Sequence, residues 1–122
     1  YDLTTTYDVQ SSDSLFTLFK DHFITGITAT AAGFYAPQGR ELRLPLAYPE
    51  INNKMQEFLY RNRKIVNFEM ETSALYGLSK LLGHHALTMC VAIANRNKNN
   101  FNQNYKTAIK ELIELLLEII TR

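Results

Sequence analysis

The stretch Lys64–Gly83, KIVNFEMETSALYGLSKLLG, changes its periodicity partway along. Its first seven residues, KIVNFEM, read as a short strand. From Glu71 onward the apolar residues Ala74, Leu75, Leu78, Leu81 and Leu82 recur at helical spacing, and Gly83 is placed to supply the left-handed residue that stops the helix. A strand running straight into a helix is the unit from which α/β folds are built. Two acids, Glu69 and Glu71, sit at the junction with Met70 between them.

Upstream, SSDSLFTLFKDHF opens on capping-type residues and spaces Leu15, Phe16, Leu18 and Phe19 as a short amphipathic helix does. FITGITATAA, residues 23–32, is rich in Ile and Thr and is expected as a strand. GFYAPQGRELRLPLAYPE is punctuated by Gly33, Gly39, Pro37, Pro45 and Pro49, which predicts a long loop with a short extended piece near residues 41–44. Loops of that length in compact domains are commonly functional, and Phe34, Tyr35 and Leu46 point to a binding loop. INNKMQEFLYRNR places Ile51, Met55, Phe58 and Leu59 on one helical face.

Downstream, HHALTMCVAIA is a continuous apolar run of the kind buried on both faces of a sheet, so a third strand is expected. NRNKNN is a polar loop. Residues 102–121 then carry a helical stripe of Tyr105, Ala108, Ile109, Leu112, Leu116, Ile119 and Ile120, with Lys110, Glu111, Glu114 and Glu118 opposite. The alternation implies an α/β fold with a partial mixed, mainly parallel sheet flanked by helices, and residues 1–122 as a single segment. Three strands that look apolar on both faces would leave open sheet edges, so the segment is expected to be part of a larger sheet.

Bulk properties narrow the function little. A chain of 122 residues with 46% hydrophobic and 20% charged residues is long enough for one ordinary globular core. A net charge of +1 excludes the strongly basic balance of a nucleic-acid binder, and Arg61, Arg63 and Lys64 read as a solvated cluster. No apolar run reaches the roughly 18 residues of a membrane span. The single cysteine, Cys90, rules out an internal disulfide and fits a reducing, cytoplasmic setting; its apolar run makes a buried thiol the expectation. YDLTTTYDVQ has no basic leader, no apolar signal core and no initiator methionine, which is expected of a processed chain or a fragment.

Ligands of open α/β sheets gather at the carboxyl ends of strands. There the sequence places Phe34, Gln38 and Arg40 after the first strand, Glu69 and Glu71 after the second, and Asn95 and Arg96 after the third. An amide and a guanidinium suit the polar edge of a heterocycle, an aromatic ring its face, and a carboxylate a pair of sugar hydroxyls. Plainer readings stand beside these. Glu71 also fits a helix-start acid favoured by the dipole, Arg40 a surface charge, and Gln38 a turn residue between Pro37 and Gly39. His84 and His85 lack a partner at metal-ligand spacing, so no metal site is expected.

Three patches in order, GITATAAGFYAPQGR, VNFEMETSAL and VAIANR, make the chain from about residue 25 to its end resemble the C-terminal half of the nucleoside phosphorylase family, closest to its uridine phosphorylase members. The Phe-Tyr pair followed by Gln-x-Arg resembles the pyrimidine-specific branch, and Glu-Met-Glu before a small-residue helix resembles the ribose-binding signature. The resemblance implies that Phe34 stacks near the base and that Gln38 and Arg40 bind the edge of uracil. It implies that Met70 packs on the ribose, Glu71 binds its hydroxyls and Glu69 lies beside it. Ile93 and Ala94 would line the base pocket, with Arg96 supporting it.

Where purine-cleaving relatives carry an aspartate after the last strand, IANRN has Asn95 and Arg96, which favours a pyrimidine nucleoside. The implied reaction is reversible phosphorolysis to free base and ribose 1-phosphate, with Arg40 and Glu71 as the catalytic pair. Inorganic phosphate is the co-substrate, and neither a metal nor an organic cofactor is implied. The family's phosphate-binding glycine loop and arginines belong to its N-terminal half, and nothing in this sequence matches them. The chain alone is therefore expected to be inactive, and the intact protein to be a homodimer or a hexamer built from dimers. Neither nucleic acid nor membrane is expected as a partner. A nucleosidase that uses water and a non-catalytic nucleoside-binding fragment are the alternatives.

Overall fold

The computed structural model describes residues 6–95 and 98–122. In chain order it has α1 (Asp13–Phe19), β1 (Ile27–Thr30), a 3₁₀ turn (Ala36–Gln38), α2 (Ile51–Glu57), β2 (Leu59–Tyr60), β3 (Arg63–Glu69), α3 (Thr72–Leu81), β4 (Ala94–Asn95), β5 (Asn100–Phe101) and α4 (Tyr105–Thr121). The architecture is mixed α/β, as expected. β1 and β3 are parallel, pairing Thr28 with Asn67, Ala29 with Phe68 and Thr30 with Glu69. β2 adds antiparallel to the far side of β3, and β4 and β5 form a separate two-stranded ribbon.

The parallel register sets what each sheet face carries. Side chains two apart on a strand share a face, so Thr28 and Thr30 stand beside Asn67 and Glu69. The Thr28 hydroxyl donates to Asn67 Oδ1 at 2.8 Å, and the Thr30 hydroxyl donates to Glu69 Oε1. The expectation that these strands are apolar on both faces is thus corrected: one face is a ladder of hydrogen-bonded polar pairs. The ladder costs little because each half-buried polar side chain has a partner directly across the strand.

Two further expectations change. The helix expected over INNKMQEFLYRNR stops at Glu57, where Phe58 is extended (φ −60°, ψ 129°). Arg61 and Asn62 both take left-handed φ, 50° and 61°, the two-residue turn whose twist matches a hairpin. Phe58 therefore ends the helix, and Leu59 and Tyr60 form the hairpin strand instead.

The apolar run HHALTMCVAIA forms no strand before Ala94. Strands exist through ladder bonds, and this segment's backbone finds scattered partners instead. Ala86 O accepts from Ser12 N–H, Thr88 N–H donates to the Tyr76 hydroxyl, and Ile93 O accepts from Asn102 N–H. The short extended piece near residues 41–44 is likewise irregular loop, as three bends replace it.

The apolar interior is small. Among the described residues Phe19, Ala31 and Ile119 are its buried members, and Gln38 and Thr72 are buried polar side chains. Leu75, Leu78, Leu81 and Leu82 of the α3 region and Ile113, Leu117 and Ile120 of α4 reach solvent. The accessible surface is 10119 Å². A folded monomer of this mass exposes roughly 6,700 Å². No helix among the described residues is long and apolar enough to cross a membrane.

Candidate active site

β1 and β3 run in the same direction and end level, at Thr30 and Glu69. The loop that follows β1 and the turn that follows β3 therefore leave the sheet at one carboxyl edge, where ligands of such sheets bind. Ala31 N–H donates to Glu69 O at 2.9 Å, so the two exits remain joined one residue past the ladder.

The loop after β1 builds one compact element from Phe34, Gln38 and Arg40. Gln38 and Gly39 N–H groups donate to Tyr35 O and Ala36 O, each at 2.9 Å, and Arg40 N–H also donates to Tyr35 O. Pro37 suits the start of this 3₁₀ turn, and Gly39 closes it in the left-handed region with φ 69°. Asn52 Nδ2 on α2 donates to Gly39 O at 2.9 Å, anchoring the turn to the helix. The Arg40 guanidinium then folds back over the loop. Its Nη1 donates to Phe34 O and, at 2.7 Å, to Gln38 Oε1. Its carbon lies 3.6 Å from the Phe34 ring centroid, and Tyr35 meets that ring edge-on at 5.3 Å between centroids. Gln38 is buried while Phe34 and Tyr35 are exposed.

The turn after β3 divides labour between its acids. Glu69 Oε2 accepts from the Glu71 N–H at 2.7 Å and the Thr72 N–H at 2.6 Å, while Oε1 accepts from Thr30. Burial alone would raise the Glu69 pKa. The donors Thr30, Glu71 N–H, and the hydroxyl and N–H of Thr72 outweigh it and hold the carboxyl below its usual value. Glu71 occupies the N-cap position of α3, yet its side chain makes no cap hydrogen bond. It is exposed, with Oε2 accepting from Met70 N–H at 3.3 Å. The helix-start role open to Glu71 on sequence thus falls to Glu69. Met70 is exposed beside them.

The segment before β4 passes close to this turn. Thr88 and Thr72 hydroxyls lie 3.3 Å apart. Cys90 is exposed, which corrects the buried thiol expected from its apolar run. Partial desolvation and the nearby Glu69 charge push its pKa up, against a hydrogen bond with Asn67. Ile93 and Ala94 stand apart from the loop and turn. They line a shallow cleft of about 440 Å³ with Ala92, Asn95 and residues 100–103, in and beside the ribbon. Arg96 lies outside the described residues. No described group of His, Cys, Asp and Glu is arranged to hold a metal ion.

The structure therefore brings Phe34, Gln38 and Arg40 together, and Glu69, Met70 and Glu71 together, at one edge of the sheet. Among the described residues no ion pair joins Arg40 to either acid. Sequence reasoning did not single out Thr30, Asn52, Asn67 or Thr72. The signal for two of them was present: Thr28 and Thr30, like Asn67 and Glu69, are spaced two apart in adjacent parallel strands, which puts them in cross-strand pairs.

A model of the phosphorylase superfamily matches residues 5–121. Uridine phosphorylase from Thermococcus kodakarensis is 37% identical over 78 residues, which cover 64% of this chain and 27% of that protein. The chain thus aligns with about a quarter of that relative's length. No solved structure matches it. With a family match that runs nearly end to end over this α/β arrangement, the chain belongs to the phosphorylase superfamily.

Proposed function

We propose that the full-length protein carrying this chain is a uridine phosphorylase-like enzyme, and that the chain supplies its base- and ribose-binding half. The observation that carries this reading is the pairing at one sheet edge of an Arg–Phe–Gln element with a turn that leaves Glu71 exposed. The similarity to a uridine phosphorylase supports a pyrimidine nucleoside as substrate.

In the reaction, a phosphate oxygen forms a bond to the anomeric carbon of the ribose as the glycosidic C–N bond breaks. The bonding pair leaves with the uracil ring. Arg40 and Gln38 meet the polar edge of that ring, and the guanidinium offsets the negative charge as it develops. Phe34 offers an aromatic face for stacking. A base on the face now covered by Arg40 would displace the guanidinium toward the ring's edge oxygens. Glu71 accepts from two ribose hydroxyls, Met70 packs on the sugar's apolar face, and Glu69 supports the turn from below. Their contribution is positioning, which lowers the barrier without proton transfer. Ile93, Ala94 and Arg96 are assigned to the base pocket by the family resemblance alone, Ile93 and Ala94 lying in the separate cleft beside the ribbon.

Phosphate is the nucleophile, so no carboxylate is required to activate water, unlike the pair in a glycosidase. No organic cofactor is required. Cytoplasmic location and a homo-oligomer built from dimers belong to the same proposal. Uridine incubated with the purified full-length protein should give uracil and ribose 1-phosphate, with turnover that stops when phosphate is withheld. Release of free ribose without phosphate would overturn phosphorolysis in favour of hydrolysis.

A further inference from the structure

The Thr30 hydroxyl joins pieces that the proposed site needs in register. It donates to Glu69 Oε1 and accepts from the Ser73 N–H at 3.0 Å. Glu69 Oε2 takes the two preceding amides, those of Glu71 and Thr72. Glu69 O takes the Ala31 N–H. The last residue of β1, the last residue of β3 and the first two residues of α3 are thereby tied through one hydroxyl, one carboxylate, four backbone N–H groups and one backbone carbonyl. The loop bearing Phe34 begins immediately after Thr30, and Glu71 is two residues after Glu69. The proposed chemistry makes no direct use of Thr30, and a threonine in a strand needs no hydroxyl partner to satisfy β propensity.

We propose that Thr30 is a positioning residue which, acting through Glu69, fixes the Phe34–Gln38–Arg40 loop and the Met70–Glu71 turn in one mutual arrangement. The inference rests on the nucleoside reading of that site. Valine has nearly the shape of threonine but no hydroxyl, so Thr30→Val leaves the Ser73 N–H without its acceptor and Glu69 Oε1 without its donor. Serine keeps both bonds. Glu71 follows on the same turn, and the Cys90 thiol on the segment before β4 senses the Glu69 charge. Neither can replace the Thr30 hydroxyl as donor to Oε1 while also accepting from Ser73 N–H.

The test uses the full-length protein with Thr30→Val and Thr30→Ser. Thr30→Val should raise the KM for uridine by roughly tenfold or more, since small misplacements of recognition groups are costly. The KM for phosphate should stay unchanged, and Thr30→Ser should restore the parent value. An unchanged uridine KM in Thr30→Val, or Thr30→Ser as impaired as Thr30→Val, would overturn the proposal. Hydrogen exchange supplies a readout independent of activity. The Thr72 and Ser73 amides and the 33–40 loop should exchange faster in Thr30→Val and recover in Thr30→Ser; unchanged exchange in all of them counts against the clamp. Should the protein fail to cleave uridine at all, the functional reading falls while exchange still decides the clamp. If Thr30→Val does not fold, Glu69→Gln weakens the same contacts from the other side and is judged by the same exchange criteria.

Discussion

The guanidinium carbon of Arg40 lies 3.6 Å above the Phe34 ring, while Nη1 of the same group is bonded to the Gln38 side-chain oxygen. Three residues separated in the sequence by Tyr35, Ala36, Pro37 and Gly39 thus form one stacked element. Stacking and planar hydrogen bonding are properties of guanidinium that an ammonium does not share. Arg40→Lys keeps the charge and loses both. In the full-length protein it is expected to lower kcat/KM for uridine by roughly 100-fold, the scale of removing one charge-stabilising donor. Steady-state kinetics check this, and a kcat/KM equal to that of the parent would remove Arg40 from the site.

Gly39 carries the turn that aims Arg40. Its φ of 69° is left-handed, and an added Cβ would run into the Asn52 side-chain amide that holds Gly39 O. Gly39→Ala is expected to cost about 1–2 kcal/mol from the backbone alone and more from the collision. The variant should show a lower melting temperature and a higher uridine KM. Adding Asn52→Gly relieves the collision but not the φ penalty, so the double variant should recover part of the stability lost. A double variant less stable than Gly39→Ala would show that the Asn52 bond outweighs the steric conflict.

Sequence patterns reveal the parts of this molecule whose cause is local. α1, α3 and α4 follow from apolar spacing, and the loop after β1 from its glycines and prolines. What they miss depends on partners distant in the chain. Residues 84–93 have a strand's composition, but their backbone groups bond to Ser12, Tyr76 and Asn102 instead of a neighbouring ladder. Tyr60 left a predicted helix because Arg61 and Asn62 turn the chain back onto β3. The site shows the same division. Phe34, Gln38, Arg40 and Glu71 stand out by residue type, whereas Thr30 gains its role only from its register opposite Glu69.

The two acids should separate cleanly on mutation. Glu71→Gln removes an exposed carboxylate that caps nothing, so it should raise the uridine KM with little change in melting temperature. Glu69→Gln removes the charge and one of the two acceptor oxygens that serve Thr30 and the Glu71 and Thr72 amides, and should lower stability. The pH dependence gives the sign. The Glu69 carboxyl titrates below its ordinary value of 4.5 in the fold, so its ionised form is favoured by folding. Its contribution is present above the unfolded value and is lost as pH falls through the folded value. Urea midpoints measured from about pH 6 down to pH 3 should fall in the parent and fall less steeply in Glu69→Gln. Parallel slopes for the two proteins would show that Glu69 is not held by the α3 amides.

Cys90 reports on the same carboxylate from the other side. Its thiol is exposed, but desolvation and the Glu69 charge raise its pKa, and the Asn67 hydrogen bond lowers it. Thiolate is the reactive form, so at about pH 7.5 the parent should alkylate more slowly than an unperturbed cysteine. The two neighbours act with opposite sign. Glu69→Gln removes the repulsion and should speed reaction with iodoacetamide, whereas Asn67→Ala removes the bond to the thiolate and should slow it. Opening of the whole segment would speed both variants together, so opposed shifts distinguish electrostatics from loss of structure. A rate unaffected by Glu69→Gln would mean that Cys90 lies farther from the end of β3 than the structure places it.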